Sequence, residues 1–368
     1  MRIGIFAPMT GRQSGGPETY ELQLVRALSS LDSNHGFAVY CANKTAAASF
    51  REISSKLSVV ALRPNMRWIS FSLTLPLELM RRPPDFLHAT YVAPPYLPCK
   101  FVFTLHDLSP FSNPEFYPTA IRFRLQRGFA SSIRRAAIVF CDSEFTRQHL
   151  AGQFPFATGK ARVIPLGVDS AFQRITEEEV RRRLCSFGLQ QPYVLCLGKL
   201  QARKNTPRLL EAFHLFKKET KLPHKLVMAG RKMWTSSEVF PLIERLGMTS
   251  EVVLPGHVMD SELPLLYNGA DALAFPSLFE GFGLPVLEAM ACGCPVVTSN
   301  VTSLPEVAGT AAILVDPYRP EAIAEGLATV LTDTKLRLEL VEKGFQRARL
   351  FTWDNTARQV LAAYGEVA

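Results

Sequence analysis

Two glutamates, Glu280 and Glu288, flank a glycine-rich turn and lie eight positions apart. Gly281 and Gly283 are in the turn, and Pro285 follows where a helix commonly begins, because its missing amide hydrogen would have no partner there. The free amides at the start of a helix attract anions, and carboxylates accept hydrogen bonds from sugar hydroxyls. The stretch therefore predicts a binding site for a diphosphate flanked by two polyols. The alternative is that both acids only stabilise the helix through its dipole.

Three cations, Lys199, Arg203 and Lys204, lie in the segment after a predicted strand at 193–198. A helix opens shortly after them at Pro207. An arginine fork and a lysine point charge can together neutralise a diphosphate. The segment therefore indicates a second part of the anion site, and a solvated surface charge run is the alternative.

The first third of the chain offers two further candidate sites, and each follows a predicted strand. Gly15 and Gly16 lie in a loop that lacks the Gly-x-Gly-x-x-Gly pattern of dinucleotide sites. His106 and Asp107 come directly after the strand at 101–105. Parallel sheets bind their ligands at the carboxyl ends of the strands. A tight turn and a structural His–Asp pair are the respective alternatives.

Short apolar runs alternate with helical patterns along the chain, which is typical of parallel sheets covered by helices on both faces. The predicted strands lie at 2–7, 37–41, 58–62, 86–89, 101–105, 137–141, 193–198, 226–230, 252–258, 270–275 and 296–299. With 368 residues the chain is long enough for two cores. Two Rossmann-like halves with a cleft between them fit this pattern better than one large sheet.

Composition narrows the class of protein. The hydrophobic content of 47% and the charged content of 20% are those of a globular chain, and no apolar run is long enough to cross a membrane. The 7 cysteines are scattered without metal-ligand spacing, so we expect reduced thiols in a cytoplasmic protein. The opening run before Pro8 is too short for a signal peptide. A net charge of +8 favours anionic partners. Nucleic acid is not indicated as a partner, because the sequence has no basic stretch interleaved with aromatic residues.

The Glu-x7-Glu spacing of Glu280 and Glu288 resembles the signature of retaining glycosyltransferases of family 4, which have the GT-B fold. The Arg-Lys pair at 203–204, the Pro-x-Gly-Val-Asp string at 165–169 and the Thr-Leu-His-Asp-Leu string at 104–108 are similar to segments of that family. The last string is most similar to enzymes that build bacterial surface polysaccharides. The resemblance covers nearly the whole length.

The resemblance implies a role for each candidate residue. Glu280 and the amides after it would hold the donor sugar, and Glu288 would hold the ribose. His106 would lie beside the transferred sugar, with Asp107 orienting it or the acceptor. Gly15 would lie on the acceptor side. The resemblance assigns donor binding to these residues: Gly16, Lys199, Arg203, Lys204, Val258, Gly281, Phe282, Gly283, Leu284 and Glu288.

The implied fold is α/β, with two Rossmann-like domains facing across a cleft and a C-terminal helix that returns to the first domain. An acceptor domain would span 1–172 with 352–368, and a donor domain would span 173–351. The implied reaction transfers a hexose from a GDP-sugar to a saccharide or a lipid-linked saccharide. The transferred hexose would be mannose or rhamnose, and neither a metal nor another cofactor would be needed. A UDP-sugar glucosyltransferase, a sugar-nucleotide epimerase and an inactive nucleotide-sugar-binding protein are the alternatives.

One basic stretch indicates a membrane partner. The predicted helix at 120–135 carries five arginines among apolar residues, which suits contact with anionic lipid. Arg81, Arg82 and the segment that begins at Trp68 would extend the same surface and suit a lipid-linked acceptor. The expected location is therefore cytoplasmic, with peripheral contact at the inner face of the cell membrane. A solvated helix face is the alternative.

Overall fold

The computed structural model describes residues 1–31, 34–64, 69–186, 188–199, 201–231 and 239–367. Trp68, named above for the basic surface, lies outside them. The chain divides into an N-terminal unit, Met1–Gly167 with Thr352–Ala368, and a C-terminal unit, Val168–Phe351. We predicted the first boundary after residue 172, whereas the structure begins the C-terminal unit at Val168. Phe172 belongs to the C-terminal unit, where its ring packs edge-on against the ring of Tyr267 at a centroid distance of 5.8 Å.

The N-terminal unit contains a parallel sheet whose strand order is β3-β2-β1-β4-β5-β6-β7. Its strands are β1 (Arg2–Ala7), β2 (Gly36–Cys41), β3 (Ser58–Ala61), β4 (Phe86–Ala89), β5 (Phe101–Leu105), β6 (Val139–Cys141) and β7 (Ala161–Val163). The helices that connect them are α1 (Gly16–Ser30), α2 (Lys44–Ile53), α3 (Leu75–Arg81), α4 (Ser109–Ser112), α5 (Thr119–Arg135) and α6 (Glu144–Gln153). A π-helical turn, Ser70–Thr74, leads directly into α3.

The C-terminal unit contains a second parallel sheet, with the strand order β10-β9-β8-β11-β12-β13. Its strands are β8 (Tyr193–Leu197), β9 (Lys225–Ala229), β10 (Val252–Gly256), β11 (Ala272–Phe275), β12 (Val296–Ser299) and β13 (Ala312–Val315). Its helices are α7 (Glu177–Ser186), α8 (Thr206–Thr220), α9 (Val239–Arg245), α10 (Leu263–Gly269), α11 (Leu284–Ala291), α12 (Leu304–Ala308), α13 (Pro320–Thr332) and α14 (Thr334–Ala348). The predicted doubly wound α/β class is confirmed.

Both sheets are buried because their strands are nearly continuous apolar runs, as expected when helices cover both faces. In the N-terminal unit Phe6, Leu87 and Phe103 belong to one fully buried cluster. Phe213 and Leu226 belong to the corresponding cluster of the C-terminal unit. Each unit therefore has its own core, and the carboxyl ends of its strands carry the loops that hold the candidate residues.

The C-terminal helix α15 (Trp353–Tyr364) belongs to the N-terminal unit, as predicted. Tyr364 is fully buried, and its hydroxyl lies 2.7 Å from Nδ1 of His88. Burial lowers the pKa of His88 to about 3, so this histidine is a neutral structural residue. The backbone of Gly167 lies against the start of α15, so that a Cβ atom at Gly167 would be 2.1 Å from the amide nitrogen of Trp353. A glycine is required there for the helix to dock.

Candidate functional site

In the C-terminal unit, Asn205 joins the two loops that carry the predicted donor residues. It adopts a left-handed conformation, with φ of 61°, between the short turn Ala202–Lys204 and helix α8. Its side-chain amide donates to the carbonyl of Pro276 at 3.1 Å and to that of Pro317 at 2.6 Å. The amide of Leu278 donates to the carbonyl of Arg203 at 2.8 Å. These bonds hold the cationic loop beside the glutamate loop.

Glu280 lies against two of the predicted cations. Nζ of Lys204 is 2.7 Å from one carboxylate oxygen of Glu280, and Nη1 of Arg203 is 3.3 Å from the other. Burial by itself would raise the pKa of Glu280, but the attraction of Lys204 and Arg203 outweighs it, so the pKa is lowered. Burial also lowers the pKa of Lys204, which its contact with Glu280 opposes. Residues 76 positions apart thus form one charged cluster.

The turn between Glu280 and α11 depends on Gly283. Its φ of 111° is in the region that favours glycine, and a Cβ atom there would lie 2.7 Å from the Leu304 side chain. Ser303 donates to the carbonyls of Glu280 and Phe282 at 2.9 and 2.8 Å. Helix α11 then starts at Leu284 without a side-chain cap. Because Gly281, Phe282 and Gly283 lead into an uncapped helix start, this turn has the backbone geometry of an anion site.

Glu288 is buried one turn into α11. The hydroxyl of Tyr267 donates to its carboxylate at 2.7 Å. Burial raises the pKa of Glu288 to about 7, the Tyr267 hydrogen bond opposes this, and the charges of Asp260 and Asp169 add to it. The sequence left open whether Tyr267 contacts ligand or packs in the core, and the structure shows that it is buried and bonded to Glu288.

Two further predicted donor residues, Lys199 and Val258, follow strands of the same sheet. Lys199 follows β8 and is half-buried. Val258 follows β10 and is buried. The structure therefore brings Arg203, Lys204 and Glu280 into direct contact, and it places Lys199 and Val258 after the carboxyl ends of β8 and β10, which flank β9 in the same sheet.

In the N-terminal unit, Gly15 and Gly16 lie at the start of α1 and face open space, since a Cβ atom at either would meet no atom within 4 Å. Gly15 has a φ of 75°. Two carboxylates hold the loop before them. Glu18 accepts from the amides of Gly11 and Ser14 at 2.8 and 2.7 Å.

The second carboxylate, Glu21, is fully buried and was not identified from the sequence. It accepts from the amides of Met9 and Thr10 and from the hydroxyls of Thr10 and Thr90, at distances from 2.7 to 3.1 Å. Burial raises the pKa of Glu21 to about 7, against these hydrogen bonds. A buried acid on an otherwise apolar helix face was the signal that could have identified it.

Asp142 is the carboxylate that contacts His106. Nδ1 of His106 lies 2.7 Å from Oδ2 of Asp142, and both side chains are largely buried. Burial by itself would lower the pKa of His106, but the charge and hydrogen bond of Asp142 outweigh it, so the pKa is raised. Nε2 of His106 is buried and has no hydrogen-bond partner in the described part of the chain. No described protein group therefore uses the hydrogen-bonding capacity of this nitrogen.

Asp107 does not orient His106, so that part of our expectation was wrong. Its Oδ1 accepts from the amide and hydroxyl of Ser109 at 2.9 and 2.6 Å and so fixes the start of α4. The pairing of Leu105 with Cys141 in neighbouring parallel strands explains the difference. His106 and Asp142 are the next residues on those strands, so they lie side by side. The expected acceptor role of Asp107 stays a prediction.

Among the residues that the structure describes, no group of three or more His, Cys, Asp or Glu side chains has an arrangement that could hold a metal ion. Within the same ranges, every helix is either too short or too polar to traverse a lipid bilayer.

Two family profiles match the chain. The profile described as glycosyltransferase family 4 matches residues 14–172, and that described as glycosyl transferases group 1 matches residues 182–347. The chain is 34% identical over 273 residues to the O-antigen chain mannosyltransferase B of Escherichia coli. The matched region covers 73% of this chain and 72% of that protein. It is 30% identical over 273 residues to the serotype-specific mannosyltransferase WbdA of Escherichia coli, where the match covers 73% of this chain but only 34% of WbdA.

The fold is also that of a solved structure, the sucrose-phosphate synthase of Thermosynechococcus elongatus. The TM-score is 0.80 and the sequence identity is 19%, with 100% of this chain and 99% of that chain covered. At that identity the likeness shows the fold alone.

Proposed function

The chain belongs to the group 1 glycosyltransferases of family 4, with the GT-B fold, and on that premise we propose that it transfers mannose from GDP-mannose. The alternative donor is GDP-rhamnose, from which rhamnose would be transferred. The sugar would pass to a saccharide or lipid-linked saccharide hydroxyl in polysaccharide synthesis, with retention at the anomeric carbon. No metal ion or other cofactor would take part. The names of the two Escherichia coli relatives support mannose and a polysaccharide product.

The observation that carries the proposal is the contact of Glu280 with Lys204 and Arg203 at 2.7 and 3.3 Å. A diphosphate that approached the uncapped start of α11 would meet the same two cations. Because an arginine fork and a lysine point charge both pair with phosphate oxygens, they would take up charge from the departing nucleoside diphosphate. Such preorganised charge stabilises a transition state without needing a bound metal.

Glu280 and Glu288 would have different partners. Glu280 is held ionised by its cations, so it would accept hydrogen bonds from hydroxyls of the donor sugar. Glu288 uses one carboxylate oxygen for Tyr267, and the other would bind the ribose. Val258, which follows β10, would lie beside the base through its backbone.

His106 would contact the transferred sugar through Nε2. With Nδ1 held by Asp142, Nε2 carries a hydrogen when the ring is protonated, and the raised pKa of His106 favours that form. The ring would then donate to an oxygen of the sugar. No covalent intermediate is proposed. The acceptor hydroxyl would attack on the face from which the diphosphate leaves.

We also propose peripheral contact with an anionic membrane at its cytoplasmic face. Helix α5 exposes Arg124, Arg127, Arg134 and Arg135. Clustered arginines near a surface attract anionic lipids.

The first experiment is thermal unfolding of the protein with GDP, UDP, GDP-mannose and UDP-glucose, each with and without EDTA. A ligand present at about 100 times its Kd stabilises the folded state by about 2.7 kcal/mol, so we expect a rise of several degrees in Tm with the guanosine ligands that EDTA does not remove. Lys204→Ala should lose the rise, and Lys343→Ala, an exposed lysine paired with Glu339, should keep it. A rise with uridine ligands alone would replace the donor by UDP-glucose. No rise with any nucleotide would contradict the proposal.

A further inference from the structure

An apolar groove lies in the N-terminal unit between the π-helical turn Ser70–Thr74 and helix α5. Its volume is about 740 Å³, within the usual range of small-molecule sites. Phe71, Val92, Ala93 and Leu125 line it, together with Pro95, Ala120 and Phe123. Gly128 lets α5 pack closely against Val92 in the wall of the groove, since a Cβ atom there would lie 2.8 Å from that side chain.

Charge and exposed apolar side chains are found together around this groove. Arg124 and Arg127 both line it, and both are exposed. Phe123, which also lines it, has 52% of its surface exposed. Leu77 and Met80, in α3 next to the π-helical turn, are 48% and 51% exposed. Such a combination is complementary to a molecule with a hydrocarbon chain and an anionic head group.

The groove is connected to the His106 site through its own wall. Tyr91 immediately precedes Val92, and its ring centroid lies 6.4 Å from that of His106. Tyr91 also packs edge-on against Phe129 of α5 at 5.7 Å. Gln126 of α5 donates to the carbonyl of Pro110, in the loop after His106, at 2.8 Å. A molecule in the groove would thus lie one residue layer from the imidazole.

We propose that the groove binds the lipid part of the acceptor: a hydrocarbon chain between Phe71 and Leu125, with its phosphate at Arg124 and Arg127. This inference rests on the proposed glycosyltransferase function and names the acceptor as a lipid-linked saccharide, not a free one. A concave groove of this size has room for one chain, whereas attachment to bulk membrane needs only a flat surface. The connection to His106 gives a reason for the groove to hold the acceptor lipid itself.

The test measures binding of dodecyl phosphate, below its micellar concentration, by titration calorimetry. Two variants fill the groove from exposed positions in its wall, Ser72→Trp and Ala120→Trp. Ala362→Trp, on the exposed face of α15, is the matched control. We expect one molecule bound per chain, at least tenfold weaker binding in both filled variants, and unchanged binding in the control. Equal binding in all three variants would overturn the proposal.

Two further ligands separate the contributions to binding. Inorganic phosphate should bind far more weakly than dodecyl phosphate, because it has no chain. Arg127→Ala should weaken dodecyl phosphate and leave neutral dodecyl maltoside unchanged. If inorganic phosphate binds as tightly as dodecyl phosphate, the site is a phosphate site and the proposal is wrong. If the filled variants instead change a monomer–dimer equilibrium and not ligand binding, the groove is an interface between two copies.

A transfer assay separates this proposal from the proposed function. With GDP-mannose as donor, Ala120→Trp should lose at least tenfold in kcat/KM toward a mannoside linked through diphosphate to a decyl chain. Transfer to methyl mannoside should be unchanged. Equal loss toward both acceptors would overturn the groove assignment while leaving the transferase intact. Absence of transfer to either acceptor by the wild type, with the dodecyl phosphate result as expected, would count against the proposed function alone.

Discussion

The imidazole of His106 and the carboxylate of Asp142 are 2.7 Å apart in the N-terminal unit, although 36 positions separate them in the chain. The pair is largely buried, and its contact uses Nδ1, so Nε2 is left for a ligand. The carboxylate therefore fixes which nitrogen of the ring a ligand meets. Asp142 is therefore a positioning residue, because it would act on a ligand only through His106.

Asp142→Asn should lower kcat by roughly 10²-fold or more, within the range that acid–base groups contribute. The reason is that Asp142 keeps the pKa of His106 raised against the effect of burial. Without the carboxylate the pKa of His106 falls, so the protonated ring is lost at a lower pH. The alkaline limb of the kcat–pH profile should therefore move to lower pH.

The other charged groups near His106 are Asp107 and Glu21, and both also raise its pKa. They explain why some protonation should survive in Asp142→Asn. Asp354→Asn, at an exposed carboxylate paired with Arg358, is the control and should show the wild-type profile. A kcat–pH profile that is the same in Asp142→Asn and wild type would contradict the assigned role.

Nucleotide affinity should weaken as the pH falls through about 7, the raised pKa of Glu288. The proposed ribose contact needs the carboxylate form, which predominates above that pKa. At pH 6 only about a tenth of the groups are ionised, so the Kd for GDP should be roughly tenfold higher than at pH 8. Calorimetric titration at both pH values measures the change. In Glu288→Gln the step should disappear, and a step that persists there would assign it to another group.

Tyr267→Phe should move this step to higher pH. The Tyr267 hydroxyl donates to Glu288 at 2.7 Å and opposes the effect of burial on the pKa of that carboxyl. Its removal raises the pKa of Glu288 further, so GDP should bind several-fold more weakly at pH 7 and with nearly unchanged affinity at pH 9. A loss of the same size at every pH would show that Tyr267 contacts the nucleotide itself.

Local patterns carried most of the prediction. Strands such as Phe86–Ala89 and Phe101–Leu105 were located to the residue, because buried parallel strands are continuous apolar runs that end at polar loops. The turn from Glu280 to Leu284 was predictable because its glycines and its proline determine its backbone. The C-terminal helix was assigned to the first domain through a family resemblance, not from the residues alone.

Contacts between distant segments were less predictable. Asp107 is next to His106 in sequence, but successive side chains near a strand end point in different directions. The true partner, Asp142, follows the neighbouring strand, and identifying it requires the register of two strands. The hydrogen bonds of buried Glu21 likewise join three segments of the chain. Such pairs depend on tertiary packing, which a single sequence does not state.

Lys204→Ala should cost stability as well as nucleotide binding. Lys204 and Glu280 form a buried pair, with side chains 12% and 9% exposed. Removing one partner leaves the other charge buried, which typically costs several kcal/mol. Because Arg203 remains 3.3 Å from Glu280, we expect a loss of about 3 kcal/mol in the free energy of unfolding, measured with urea.

The double variant Lys204→Met with Glu280→Gln is the internal control for this pair. It removes both charges, so it should be more stable than Lys204→Ala while still failing to bind GDP-mannose. If it is as unstable as the single variant, the loss comes from the contact of the Lys204 ammonium with the Phe275 ring, whose centroid lies 4.3 Å from Nζ, and not from the unpaired carboxylate.

Gly283→Ala should destabilise the turn that leads into α11. The residue has a φ of 111°, which is strained for alanine, and the added Cβ atom would lie 2.7 Å from the side chain of Leu304. A positive φ alone costs about 1–3 kcal/mol in a non-glycine residue, so we expect a loss of at least about 1 kcal/mol in the free energy of unfolding. Gly152→Ala is the control, because Gly152 lies in the last turn of helix α6 and a Cβ atom there would meet nothing within 4 Å. Urea unfolding of both variants, together with GDP binding, checks the expectation. If Gly283→Ala unfolds like Gly152→Ala and binds GDP as the wild type does, the turn does not need glycine, and the close approach of backbone to diphosphate would have to be abandoned.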